Sequence, residues 1–223
     1  IVFTADHGDM LGERGNWYKM SFYEQACRVP LMISMPGQSG SRRVSQCTSL
    51  MDLMPTLLDM TLDGGTDHLV EPIDGRSLMP LVAGDASGWA DETASEIFFE
   101  GARAPGMLIR RGTRKYVHWE GGPCSLFDLA TDPHEHHNLV ADPAYAEEVT
   151  AFEAEVRRRW PLEELTERIL LKQRRNALVF KALMSGEVTP LDFQPHDDAS
   201  KRYYRGYGNW HEAEARDFLR FDT

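Results

Sequence analysis

The sequence contains no apolar run approaching the roughly 20 residues of a membrane-spanning helix. A soluble chain with no membrane partner is therefore expected. It also lacks an initiator methionine and a leader of the charged-then-apolar kind, and opens directly in strand-like residues, Ile1–Thr4. A strand needs a neighbour, so the chain is read as a piece of a longer protein without its N-terminal portion, and without any targeting signal carried there. Cysteine is scarce. Cys27, Cys47 and Cys124 are odd in number and widely spaced with no C-x-x-C, so they indicate neither a disulfide framework nor a zinc site and point to a reducing, cytoplasmic setting. Basic residues are in deficit, 24 against 35 acidic for a net charge of −11, which argues against a nucleic-acid partner. No internal repeat is evident.

What is present suits a globular protein: 223 residues, 42% apolar and 26% charged, enough for a sizeable core in one domain or two. In so acidic a chain an anionic small-molecule substrate needs a local cation, such as a metal ion, Lys19 or Arg28. The apolar run Ile1–Thr4 stops at Asp6-His7-Gly8-Asp9, and the ends of strands in open α/β sheets are where ligands bind. Asp6 and His7 are adjacent and cannot share one face of a strand, but at a strand-to-loop transition both can turn towards one ion. A carboxylate suits hard cations and an imidazole borderline ones, so the pair leans to Mn²⁺ while leaving Ca²⁺ or Mg²⁺ open. On this triplet alone, a capping Asp beside a surface His accounts for the residues equally well. Gly8, Gly12 and Gly15 followed by Trp17, Tyr18 and Lys19 suit a loop that brings a cation back over such a site.

Further along, Ser21–Cys27 reads as a short helix ended by Pro30, and Leu31–Met35 as a buried strand closed by Pro36-Gly37. Asp52 is placed to cap a helix from Leu53, with Leu57, Leu58 and Met60 facing a core. Residues 61–94 read as surface connection apart from Leu78, Leu81 and Val82. Short strands at 97–100, 107–110, 115–119 and 125–129, separated by Gly/Pro turns, predict a small antiparallel sheet. Val149, Phe152, Val156 and Trp160 recur at helical spacing, predicting a helix on that sheet, and a second amphipathic helix is expected from Glu163 to about Ser185.

The ordered segments carry a resemblance. Phe3-Thr4-Ala5-Asp6-His7-Gly8-Asp9-Met10-Leu11-Gly12, Arg28-Val29-Pro30-Leu31, Asp52–Leu58 (D-L-x-P-T-L-L), Asp74-Gly75-Arg76-Ser77-Leu78 and Leu126–Leu139 (L-F-D-L-x-x-D-P-x-E-x-x-N-L) together resemble the sulfatase family of the alkaline-phosphatase superfamily. Ala5 stands where that family usually has Ser. Gly12–Phe22 and the tail Thr189–Ser200 are similar to the choline-sulfatases within it. The resemblance implies an α/β fold: the C-terminal part of an alkaline-phosphatase-like sheet domain over residues 1–90, a small antiparallel-sheet subdomain with a packed helix over 91–161, and a helical, aromatic extension over 162–223.

It also implies hydrolysis of a sulfate ester, choline O-sulfate, at one divalent metal ion (Ca, Mg or Mn). The nucleophile would be a formylglycine made from Cys or Ser in C-x-P-S-R. No such motif occurs in the chain, and Cys27-Arg28-Val29-Pro30 misplaces the proline, so Cys27 is read as a buried structural cysteine. Asp6 and His7 fall on the family's metal positions, His7 where many relatives have Asn, and Lys19 falls on its sulfate-contacting lysine. Arg28 is assigned to scaffold hydrogen bonds. Phe193 with Asp197 and Asp198 suits a choline cation, and equally a tail that builds a homo-oligomer. A phosphonate or phosphate ester hydrolase of the same superfamily, and a non-catalytic oligomerisation or binding module, remain the alternatives. His134, His136 and His137 fall in a motif turn and are read as a surface loop, and Arg157–Arg159 and Arg174–Arg175 as solvated helix faces.

Overall fold

The computed structural model describes residues 1–37, 40–63, 65–98 and 102–186, divided between a compact unit of residues 1–175 and a second of residues 176–223. In chain order, β1 (Val2–Thr4) is followed by the two-residue strands β2 (Met10–Leu11) and β3 (Trp17–Tyr18), helix α1 (Glu24–Cys27) and β4 (Leu31–Ile33). β4 returns antiparallel to β1, with Phe3 opposite Met32. The expectation of a buried strand here is corrected. Side chains alternate across a strand, so Leu31 and Ile33 are half-buried while Met32 and Phe3 are 59% and 55% exposed, and among the described residues nothing covers that face.

Helix α2 (Leu53–Thr61) follows a tight 3₁₀ turn, Leu50–Asp52. The sequence assigned its cap to Asp52, but Ser49 is the capping residue of that turn. The Ser49 hydroxyl accepts from the Met51 N–H at 3.2 Å, and the Asp52 carboxylate reaches back to the Ser49 N–H at 2.8 Å. Leu57, expected inside, is exposed, and Pro55 and Thr56 form the buried face instead. Asp52 also accepts from the Arg76 N–H at 2.8 Å, and the Thr56 hydroxyl accepts from the Leu78 N–H at 2.8 Å. A side chain at Gly75 would meet the Met51 carbonyl at 2.0 Å. The D-L-x-P-T and D-G-x-S-L motifs are thus two halves of one structural clasp. It seats Leu78 and, through helix α3 (Met79–Ala83), Leu81 in the interior.

The second half is a four-stranded antiparallel sheet in sequential order: β5 (Glu92–Ile97), β6 (Gly106–Arg111), β7 (Arg114–Trp119) and β8 (Ser125–Asp128). The strand expected at 97–100 lies earlier, at Glu92–Ile97, and residues 99 and 100 are outside the described set. β5 is an edge strand whose Thr, Ser and Glu meet solvent, which hid it from a reading based on apolar runs. One face of the sheet, Met107, Ile109, Tyr116 and Leu126, packs on Phe152 and Val156 of helix α4 (Ala146–Arg159) and on Leu162 of helix α5 (Leu162–Met184). Tyr116 and Phe152 stack with ring centroids 5.3 Å apart. The other face offers Leu108 and Val117 to Phe22, whose ring lies 5.3 Å from that of Trp119. That contact sets the N-terminal segment on the sheet. No described helix is long and apolar enough to cross a membrane.

Candidate functional site

At the end of β1 the chain turns out at Asp6, and the next residues are fixed by the backbone. The Gly8 N–H donates to the Ala26 carbonyl of α1 at 2.8 Å. A Cβ at Gly8 would lie 1.9 Å from the Gln25 carbonyl oxygen, so only glycine permits this approach. With Gly8 held, His7 Nδ1 comes to 2.8 Å from the Gly8 carbonyl oxygen. A carbonyl only accepts, so Nδ1 carries the hydrogen, and Nε2 is the ring nitrogen that could bind an ion.

Nε2 lies 3.3 Å from Asp6 Oδ2. Two acceptors so close repel unless a proton or a cation lies between them. Adjacent ligands on one ion, each about 2.1 Å from it, are roughly 3 Å apart. The pair therefore fits two neighbouring coordination positions of a divalent ion. Asp6 also accepts from the His7 N–H at 3.0 Å, which fixes the other carboxylate oxygen. The Asp6 side chain is 86% exposed and that of His7 32%, so the position is open to an ion from outside. Asp9 does not join them: among the described residues no three His, Cys, Asp or Glu converge on one ion position. Asp6 and His7 supply two ligands at most.

Lys19 sits at the end of the β2–β3 hairpin, exposed and without a hydrogen bond or ion pair to Asp6 or His7. Buried Met10, 1% exposed, anchors the hairpin, and its tip turns through left-handed Gly12 (φ 110°), Arg14 (φ 56°) and Gly15 (φ 72°). The Leu11 N–H, 2.6 Å from Glu13 Oε2, holds the Glu13 carboxyl below its usual range and closes the turn. Trp17 and Tyr18 are 62% and 66% exposed beside Lys19. Phe193, Asp197 and Asp198 lie outside the described residues.

Cys27 is corrected from buried to exposed as a residue, yet its sulfur points at the Ser21 carbonyl, and desolvation pushes the thiol up to about 11. That makes it a poor nucleophile near neutrality. Arg28 is exposed and contributes its backbone N–H to the Glu24 carbonyl at 2.8 Å, not a side-chain scaffold bond. His134, His136 and His137 are exposed, as expected of a surface loop.

A group of charges that sequence reasoning passed over lies behind the hairpin. Lys115 on β7 is buried, with Nζ 2.8 Å from Glu24 Oε1 and 2.7 Å from Glu135 Oε1. Arg14 reaches from the hairpin to the carbonyls of His134 and Glu135 and covers the Tyr23 ring at 4.3 Å. Glu135 was visible as the acidic member of D-P-x-E-x-x-N-L, but only as a motif letter. The motif's other polar members build the turn: Asp132 accepts from the His136 and His137 N–H groups, and Asn138 from those of Leu126 and Val140.

The family described as N-sulphoglucosamine sulphohydrolase, C-terminal, matches residues 12–160, and that described as choline sulfatase enzyme C terminal matches residues 167–221. A choline-sulfatase of Rhizobium meliloti (strain 1021) is 39% identical over 213 residues, 94% of this chain and 41% of the relative. The multifunctional alkaline phosphatase superfamily protein PehA of Trinickia caryophylli is 36% identical over 165 residues, 66% of this chain and 31% of the relative. Among solved structures, the phosphonate monoester hydrolase of Agrobacterium radiobacter superposes with a TM-score of 0.59 at 31% identity. That match covers 76% of this chain and 35% of that one. The chain thus spans about two fifths of the length of the first of these relatives, and less of the others.

Proposed function

The chain belongs to the sulfatase family, with an α/β fold of the alkaline-phosphatase type, and from that premise we propose that the protein carrying it hydrolyses choline O-sulfate to choline and sulfate. The observation that carries the reading is the Asp6–His7 pair, two acceptors 3.3 Å apart at the end of a strand. A divalent ion, Ca, Mg or Mn, is assigned to it. When bound, that ion supplies fixed positive charge for the oxygens of the sulfuryl group. Asp6 and His7 would hold and orient it, the contact of His7 Nδ1 with the Gly8 carbonyl leaving Nε2 as the nitrogen that would bind the ion. Lys19 is assigned to the sulfate as a second positive charge on the exposed hairpin. Transfer of a sulfuryl group spreads negative charge over its oxygens, so positive groups fixed in advance lower the barrier without covalent help from this part of the chain. The formylglycine nucleophile is assigned to sequence outside these residues, because C-x-P-S-R does not occur in them.

Choline as the alcohol is supported by the match of the choline-sulfatase C-terminal family to residues 167–221. Phe193, Asp197 and Asp198 are assigned to the quaternary ammonium, which has no N–H to donate and is recognised by aromatic faces and carboxylates. The same tail is proposed to join copies into a homo-oligomer. The test is the full-length protein carrying this chain, assayed on choline sulfate and on an aryl phosphonate. The expected result is a kcat/KM for choline sulfate well above that for the phosphonate. Negligible turnover of choline sulfate would overturn the assignment. The similarity to a phosphonate monoester hydrolase makes that activity the second reading, and the reverse preference would establish it.

A further inference from the structure

We propose that Glu135 is the positioning residue of the candidate site, tying both the Asp6–His7 turn and the Lys19 hairpin to the four-stranded sheet. The proposal rests on the site reading above. Its observations are independent of what the protein hydrolyses.

Glu135 is 1% exposed and holds a left-handed backbone, φ 57°, which a non-glycine residue keeps only where its surroundings over-determine it. Three separate elements do so here. Oε1 is 2.7 Å from Lys115 Nζ on β7. Oε2 accepts from the Glu24 N–H, the first residue of α1, at 2.7 Å. Its carbonyl accepts from the Arg14 guanidinium at the hairpin tip. From α1 the tie continues through the Ala26 carbonyl to the Gly8 N–H, and so to the residue that orients His7. From Arg14 it continues along the hairpin to Lys19.

Burying these charges carries a desolvation cost that apolar residues of similar volume would avoid, so the cluster is poorly explained as a source of stability. What it supplies is geometry. The Glu135 carboxylate ties α1 by a directed hydrogen bond at Oε2 and β7 by an ion pair with Lys115 at Oε1, where no hydrogen bond forms, and so sets the distance between the two in a way that apolar packing does not. Arg14 makes the second tie specific: one guanidinium nitrogen, Nη2, donates to both adjacent carbonyls while the planar group lies over the Tyr23 ring, a stacking that a lysine ammonium does not offer.

The experiment is amide hydrogen exchange on the full-length protein with two variants, alongside melting temperature and, where turnover is found, kcat and KM. Arg14→Ala removes the hairpin tie from an exposed residue. The double variant Lys115→Met/Glu135→Leu replaces two of the three charges by apolar groups of similar volume and leaves Glu24 paired with Arg110. The expected result for Arg14→Ala is exchange at least tenfold faster at Gly12–Lys19. For the double variant, Gly8 should also loosen, while β6 and β7 keep their protection. Where the enzyme turns over sulfate ester, kcat falls about tenfold with KM changed less, and Arg14→Lys does not restore it. Wild-type exchange at Gly8 and Gly12–Lys19 in both variants overturns the proposal, as does loosening spread evenly over the sheet. Selective loosening in a protein inactive on sulfate esters upholds the positioning role and overturns the proposed function alone.

Discussion

The four-stranded sheet and the Asp6–Lys19 segment are held by different physics. The sheet with α4 buries Met107, Ile109, Tyr116, Leu126, Phe152 and Val156 in one continuous core. Over Asp6–Lys19 only Met10 is buried, and Leu11, Trp17 and Tyr18 stand 62% to 70% exposed. The sheet is stabilised by area, and many substitutions would each weaken it in proportion to the volume lost. The segment is stabilised by a few directed bonds at glycines and charges, so its tolerance depends on which atom is removed. A region that must leave ligands open to an arriving ion cannot also bury them, and it borrows its order from a neighbour that can.

The contrast breaks most visibly at Phe152. Its ring stacks on Tyr116 at an interplanar angle of 9° and lies under the Arg111 guanidinium. Phe152→Ala is expected to cost about 3–5 kcal/mol, the usual range for deleting a buried aromatic ring, as read from urea unfolding. Binding of Mn²⁺ at the candidate site by protein that remains folded should be unchanged.

Gly8→Ala tests the other side. The new methyl would meet the Gln25 carbonyl oxygen at 1.9 Å, an approach that only a backbone shift can relieve. A loss of about 1–3 kcal/mol is expected, the range for overpacking, together with loss of divalent-ion binding because His7 moves with Gly8. Unchanged ion affinity in titration calorimetry would show that the turn around Gly8 does not set the ligands.

The same division explains what could be read in the sequence. Burial at regular spacing is written in apolar letters, so β6, β7, β8, α4 and α5 were legible close to their observed bounds. β5 was not, because an edge strand needs hydrogen bonds on one side and no apolar face, and Glu92–Ile97 reads as polar surface. Asp6 and His7 stood out by residue type alone. The ties that hold them did not stand out: Lys115 looks like any solvated lysine until Glu24 and Glu135, separated from it by 91 and 20 residues, are seen around it. Asp52 shows a related failure of local reasoning. Its type suits a helix cap, but its oxygens are committed to Ser49 and to Arg76 24 residues away, a long-range clasp that no local pattern announces.

Arg159→Ala is a smaller change within the sheet region. The run Arg157–Arg159 reads as a solvated face, but Arg159 is 29% exposed at the side chain and pairs with Glu92 of β5 and Glu155 of its own helix, while Arg157 and Arg158 are 53% and 73% exposed. Although burial raises it, the Arg111 and Arg159 guanidiniums hold the Glu155 carboxyl below its usual range. A half-exposed network of this kind is expected to contribute about 1 kcal/mol, against about 0.5 kcal/mol or less for the exposed i,i+4 pair of Arg157 with Glu153. Equal melting-temperature shifts for the two alanine variants would show that the bridge from α4 to β5 adds nothing beyond helix propensity.

Asp6→Ala is the smallest change in stability and the sharpest statement of the contrast. The Asp6 side chain is 86% exposed, and the bonds it forms are to its own neighbour, His7. In metal-free protein the Asp6 carboxylate is exposed and touches only its neighbour His7, so unfolding free energy should move by no more than about 0.5 kcal/mol on its removal. In the full-length protein ion binding should be lost, because Asp6 is the carboxylate that this segment is proposed to contribute and any remaining carboxylate ligands are assigned outside these residues. Metal content after dialysis, measured beside the urea curve, separates the two quantities. Retained ion at wild-type stoichiometry would remove Asp6 from the ligand set. Loss of ion with an unchanged urea midpoint would locate the purpose of this segment in what it binds and its shape in the sheet that holds it.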